Sequence, residues 1–182
     1  MTIPPLPPRP DTIQRYLDER YLAEIAVTRQ EIESMWLKAE CSAADARLPG
    51  LSLDGQIKMA YDAQMQMAAS LLWVRGFRTV QSDKSHHFRL IDSVRVFAQT
   101  EGNVELQRAM QKLDELRQDR SHAVYEHDPA TPEEAAVMLA NLEVLHPRAH
   151  QSLDALLVNL PQQTPPTVPA TPRANLKRGR GR

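Results

Sequence analysis

The sequence predicts an all-α protein, an antiparallel bundle of four to five helices over residues 11–160, flanked by proline-rich ends. Three observations predict it. Hydrophobic residues fill 42% of the chain, yet aromatics reach only 5% and glycine only 6 residues, while Ala, Leu, Gln and Glu abound, which suits helix rather than sheet. Apolar residues recur at spacings of three and four through most of the chain. The breaks in that pattern are short, so successive helices must fold back on one another. A length of 182 residues fills one core and scarcely two.

Taken in order, Pro4, Pro5, Pro7, Pro8 and Pro10 hold residues 1–10 extended, and no apolar run there has the length of a signal peptide. PPLPPRP fits a PxxP ligand for an aromatic-lined groove, although a terminal proline run is more often simply solvated. The first helical segment begins near Asp11 as N-cap and carries Ile13, Leu17, Leu22, Ile25, Ile32, Met35 and Trp36 before stopping between Ser42 and Gly50, as one long helix or two. The second spans about Leu53 to Arg75, with Ile57, Ala60, Tyr61, Met65, Ala68 and Leu72 on its apolar face and Gly76 just beyond its end.

The third covers about Ser85 to Thr100 through Leu90, Ile91, Val94 and Phe97, and the fourth runs from Val104 to Arg120 or Tyr125 along Leu106, Met110, Leu113 and Leu116. Thr131-Pro132-Glu133-Glu134 is a capping box with proline at N1, opening a fifth helix on Ala135, Met138, Leu139, Leu142 and Leu145. Pro147 is expected to kink or break that helix, leaving Leu153, Leu156 and Leu157 on a last short one. Residues 161–182 are expected to be disordered; the closing KRGRGR is a solubilising tail or a source of nonspecific phosphate contacts.

Net charge is −1, from 22 basic and 23 acidic residues, so the whole chain has no strong pull on nucleic acid or membrane and partners must be argued locally. No run approaches the 18 apolar residues of a membrane span, and the single cysteine, Cys41, forms no intrachain disulfide; the reading is a cytoplasmic protein with Cys41 as a small apolar filler. Phosphate loops, zinc helices and nucleophile elbows are missing from the sequence, so no cofactor is implied. His86 and His87 are adjacent and point about 100° apart on a helix, which suits a surface or helix start. His146 and His150 have i, i+4 spacing, but Pro147 is expected to interrupt the turn, and no metal site is predicted.

One segment stands out, ELRQDRSHAVYEHDP at 115–129. Continuing the stripe Leu106, Met110, Leu113 by four and then three residues reaches Arg117 and Arg120, which places both toward the bundle. Snorkelling arginines at a helix C-terminus are the plain explanation, since the macrodipole favours them there.

The order of features is similar to the HEPN superfamily, helical bundles whose active members carry Arg, four to six residues, then His. Arg117-Gln-Asp-Arg-Ser-His122 has that form, Tyr125 follows, and AYDAQMQMAASLLWVRGFRTVQSDKSHH at 60–87 looks like the second-helix segment of small prokaryotic members. The resemblance spans roughly Leu53 to Leu145. It implies a homodimer that cleaves RNA without metal, possessing a site built across two copies, with a nucleotidyltransferase-like antitoxin as partner if the chain is a toxin. In that reading His122 transfers protons, Arg117 and Arg120 hold phosphate, Tyr125 hydrogen-bonds or stacks on a base, and Glu115, Ser121 and His127 line the substrate.

A second register sets Arg120 in the motif position, Ser121 where many members have Asn, Glu115 as an upstream acid and Tyr125 in place of the histidine. That register implies a catalytically silent module binding nucleotide, RNA or protein. The third reading is a helical adaptor or structural protein. Five residues of unbroken helix separate Arg117 and His122 by roughly 140°, so the first register needs the helix to end between Asp119 and His122, or a dimer to complete the pair.

Overall fold

The structure, a computed structural model, describes residues 9–80, 85–126 and 129–160, with residues 120–126 described in their backbone only. The proline-rich ends expected to be disordered lie outside the described residues apart from Arg9, Pro10 and their neighbours in the bundle. The chain forms a helical bundle of α1 Asp11–Asp18, α2 Arg29–Asp45, α3 Leu53–Trp73, α4 His86–Thr100, α5 Val104–Glu126 and α6 Pro132–Leu157, with a small sheet of β1 Leu22–Glu24 and β2 Phe77–Thr79.

The sheet is a departure from the all-helical expectation. Leu22 and Ile25 have helical spacing, but α1 ends in a left-handed turn at Arg20, φ 60°. There the Arg20 and Tyr21 N–H groups bond back to the Leu17 and Tyr16 carbonyls at 3.0 and 2.8 Å, closing α1 in a Schellman motif. The chain leaves this turn extended and pairs antiparallel with β2, Leu22 opposite Thr79 and Glu24 opposite Phe77. Gly76, φ 83°, ends the turn after α3 and accepts the Ile25 N–H at 2.8 Å. The predicted first segment is therefore two helices with a strand between them; three residues are too few for periodicity to separate strand from helix.

Helix α3 is the central element and packs against α2, α4 and α6. Ser52 caps it by accepting the Gly55 N–H at 3.1 Å. Ala60, Ala63, Met67, Ala68, Leu71 and Leu72 are fully buried, so α3 is wrapped on several sides. Its one strongly polar core residue, Gln64, meets Asn141 of α6, whose Nδ2 donates to Gln64 Oε1 at 2.6 Å and to the Ala109 carbonyl of α5 at 3.3 Å.

The three-residue link between α4 and α5 is a second Schellman turn, with Asn103 and Gly102 N–H bonding to the Ala98 and Gln99 carbonyls at 2.8 and 3.2 Å and Gly102 at φ 71°. The expected capping box of α6 is present: Thr131 accepts from the Glu134 N–H at 3.2 Å and Glu134 Oε2 accepts from the Thr131 N–H at 2.7 Å. A second box, Thr28 with Glu31, starts α2.

Pro147 does not break α6, which runs unbroken from Pro132 to Leu157. Proline removes one helical hydrogen bond, but Leu142 and Leu145 before it and Ala149 and Leu153 after it are all buried on one face. Packing against the core therefore outweighs the lost bond. Among the described residues no helix is long and apolar enough to cross a membrane.

Candidate functional site

Helix α5 continues without interruption through Glu126, so the helix end that the Arg117 and His122 pairing needed does not occur between Asp119 and His122. On this helix the two positions stay about 140° apart. The side chains of Arg120, Ser121, His122 and Tyr125, and all of His127, lie outside the described residues. Glu115 points to solvent and pairs with Lys112 Nζ at 3.0 Å.

Arg117 is half-buried, in keeping with its predicted place on the bundle side of α5. Its Nε donates to Asp114 Oδ1 at 2.8 Å, one turn back, and its guanidinium carbon sits 5.8 Å from the centre of the Phe88 ring on α4. Gln118 Nε2 donates to the other Asp114 oxygen at 2.8 Å. Arg117 is thus held on α5 by a carboxylate and against α4 by a ring face, with the rest of its donor fork free of those two contacts.

Beside it stands the start of α4. His86 and His87 meet edge to face, ring centres 4.2 Å apart, and Tyr61 of α3 places its hydroxyl 3.0 Å from His87 Nδ1. Burial of the ring holds His87 below the ordinary imidazole value, the neighbouring His86 and Arg117 charges push the same way, and Asp62 opposes them. His87 is nonetheless an exposed residue, so this lowering favours a neutral imidazole reachable from solvent. Asp62 is itself tied to Lys58 at 2.6 Å, which blunts its pull. Three elements thus bring Tyr61, His86, His87 and Arg117 to one surface, combining hydrogen-bond donors, a neutral proton acceptor and a fixed cation.

A buried polar network ties α4 to α1. Tyr16 of α1 is 2% exposed and donates its hydroxyl to Asp92 Oδ2 of α4 at 2.7 Å, while Arg95 binds Asp92 Oδ1 at 2.5 Å. Burial first, and then the bond to Asp92, raises the Tyr16 pKa. The Arg89 guanidinium lies over Tyr21 at 4.2 Å, Tyr16 at 4.6 Å and Phe88 at 5.4 Å. Phe88 therefore meets two guanidinium groups, Arg89 of its own helix and Arg117 of α5.

The other histidine pair behaves differently from its expectation. With α6 unbroken at Pro147, His146 and His150 do share a face, and both stack on Trp36 of α2 at 5.8 and 5.4 Å. Glu40 accepts from Trp36 Nε1 at 2.9 Å and lies 3.8 Å from His146 Nε2. This is an aromatic seam between α2 and α6. Among the described residues no three His, Cys, Asp or Glu groups are placed to hold a metal ion. Cys41 is exposed, not the apolar filler its helical setting suggested.

Sequence reasoning placed Tyr61 on an apolar helical face and His87 at a helix start, yet did not join them. The signal was an aromatic with a polar tip on a buried stripe, which needs a partner when its ring is packed away. Comparison of the chain with protein-family models, with curated proteins and with solved structures finds no significant match.

Proposed function

We propose that this chain is a HEPN-like, metal-independent endoribonuclease that works as a homodimer, in the role of a toxin or defence effector opposed by a nucleotidyltransferase-like antitoxin. The observation that supports it is that Arg117 packs on Phe88 and acts electrostatically on His87, which Tyr61 and His86 contact, because these residues come from the stretches that carry the resemblance. Cleavage of this kind needs a proton taken from a ribose 2′-hydroxyl, a cation on the crowded phosphorane, and a proton given to the departing 5′-oxygen. Arg117 and Arg120 supply the cations and His122 a proton-transfer group, with Tyr125 toward a base and Glu115, Ser121 and His127 along the substrate. Since α5 sets Arg117 and His122 on different sides, the pair is completed by the second copy.

A second reading has its own support. The unbroken α5 and the Arg117–Asp114 ion pair suit a module that binds RNA or nucleotide without cutting it. Purified wild type, Arg120→Ala and His122→Ala incubated with single-stranded and structured RNA in EDTA separate the two. Cleavage by wild type alone supports the nuclease; binding with no cleavage supports the silent module; cleavage that survives both substitutions removes the proposed site. Growth arrest on expression, relieved by the partner, tests the toxin role.

A further inference from the structure

We infer that His87, oriented by Tyr61, is a catalytic proton-transfer group of this surface, acting on the phosphodiester that Arg117 holds. The inference rests on the nuclease reading and deepens it, since it moves the working imidazole from α5 to α4. Three observations carry it. Tyr61 lies 3.0 Å from Nδ1 and so engages one ring nitrogen, and His87 is an exposed residue, which makes Nε2 the nitrogen left to meet substrate. Arg117 packs at 5.8 Å against Phe88, the next residue, and lies near enough for its charge to act on the His87 imidazole. On the unbroken α5, position 122 lies about 140° around the helix from position 117.

The step balances without a cofactor. In the tautomer that this step uses, Nδ1–H donates a hydrogen bond to the Tyr61 oxygen and keeps its proton, which leaves the Nε2 electron pair open. That pair takes the proton of the 2′-hydroxyl as the 2′-oxygen bonds to phosphorus. The bond from phosphorus to the 5′-oxygen breaks, its electron pair stays on that oxygen, and solvent water supplies the proton. Products are a 2′,3′-cyclic phosphate and a free 5′-hydroxyl. Arg117 steadies the charge on the non-bridging oxygens. Among the described residues the groups that face His87 are His86 on its own helix, Tyr61 and Asp62 on α3, and Arg117 on α5. His86 and Arg117 favour the neutral base, and Asp62 opposes it.

The test uses the full chain with a labelled single-stranded RNA oligonucleotide in EDTA between pH 5 and 8. His87→Gln and His87→Asn serve together, so that a folding defect in one does not decide the matter. The expected result is a loss of cleavage of about 100-fold or more in both, at RNA affinity close to wild type. Tyr61→Phe, a change at a positioning residue, is expected to move the acid limb of the pH profile to lower pH, which loss of packing alone does not do. Cleavage at the wild-type rate in either folded His87 variant overturns the inference and leaves the nuclease reading standing. Wild type that binds RNA and does not cut it overturns the inference in favour of the silent module, and wild type that neither binds nor cuts overturns the underlying reading as well.

Discussion

The buried amide pair between α3 and α6 makes a prediction whose sign depends on whether one or both partners change. Gln64 is fully buried and Asn141 is 7% exposed. Asn141 Nδ2 supplies the hydrogen bond to Gln64 Oε1 at 2.6 Å, and Gln64 Nε2 donates to the Ala60 carbonyl at 3.2 Å. Asn141→Leu leaves the Gln64 oxygen buried and strips it of that donor, which costs about 1–3 kcal/mol; Gln64→Met leaves the Asn141 amide only its longer bond to the Ala109 carbonyl, at a cost of about 1 kcal/mol. With both changed no polar group is stranded, so the double variant is expected near wild-type stability, with a favourable coupling of about 2 kcal/mol or more. Urea denaturation of the four proteins at equal m measures the cycle. A double variant as unstable as the sum of the two single losses refutes the reasoning. The pair matters to the site, because Gln64 follows Tyr61 by three residues on α3 and Asn141 also reaches Ala109 of α5, the helix that carries Arg117.

Pro147→Ala restores an N–H inside α6; the helical gain of about 3 kcal/mol, less about 1 kcal/mol for the freer unfolded chain, is expected to raise Tm by roughly 4–8 °C. An unchanged or lower Tm contradicts an unbroken α6. Arg20→Gly relieves a left-handed residue in the turn after α1 and is expected to stabilise by about 1 kcal/mol, measured by thermal unfolding. The depressed pKa of His87 means that the unfolded chain takes up its proton first, so stability is full above the ordinary value of 6.5 and falls as pH drops from there toward the folded value. His87→Gln is expected to flatten that part of the stability profile against pH, and an unaltered profile excludes His87 as its source.

The helices with long apolar stripes were legible in the sequence, and so were their caps: Gly76 after α3, the Thr131 box on α6 and the Gly102 turn all sit where spacing put them. The Thr28–Glu31 box was equally legible in Thr-Arg-Gln-Glu and went unread because the apolar spacing of Leu22 and Ile25 suggested a helix continuing across it. Pro147 was misread for the opposite reason. A local rule about proline was applied where four buried residues around it decide the outcome. The site divides in the same way. Arg117 was found from its place at the end of a buried stripe, whereas Tyr61 and His87 are 26 residues apart and meet where α3 and α4 pack together.

The proposal that the surface around Arg117 holds RNA phosphate is tested most directly by the salt dependence of RNA affinity. Wild type and Arg117→Ala are titrated with single-stranded RNA in EDTA across a range of salt. The variant is expected to bind every sequence more weakly, with the slope of log affinity against log salt reduced by about 0.7 for one lost phosphate contact. Asp114 keeps its bond from Gln118, so the fold around the substitution is expected to hold. Equal affinity and equal slope in the two proteins contradict the claim.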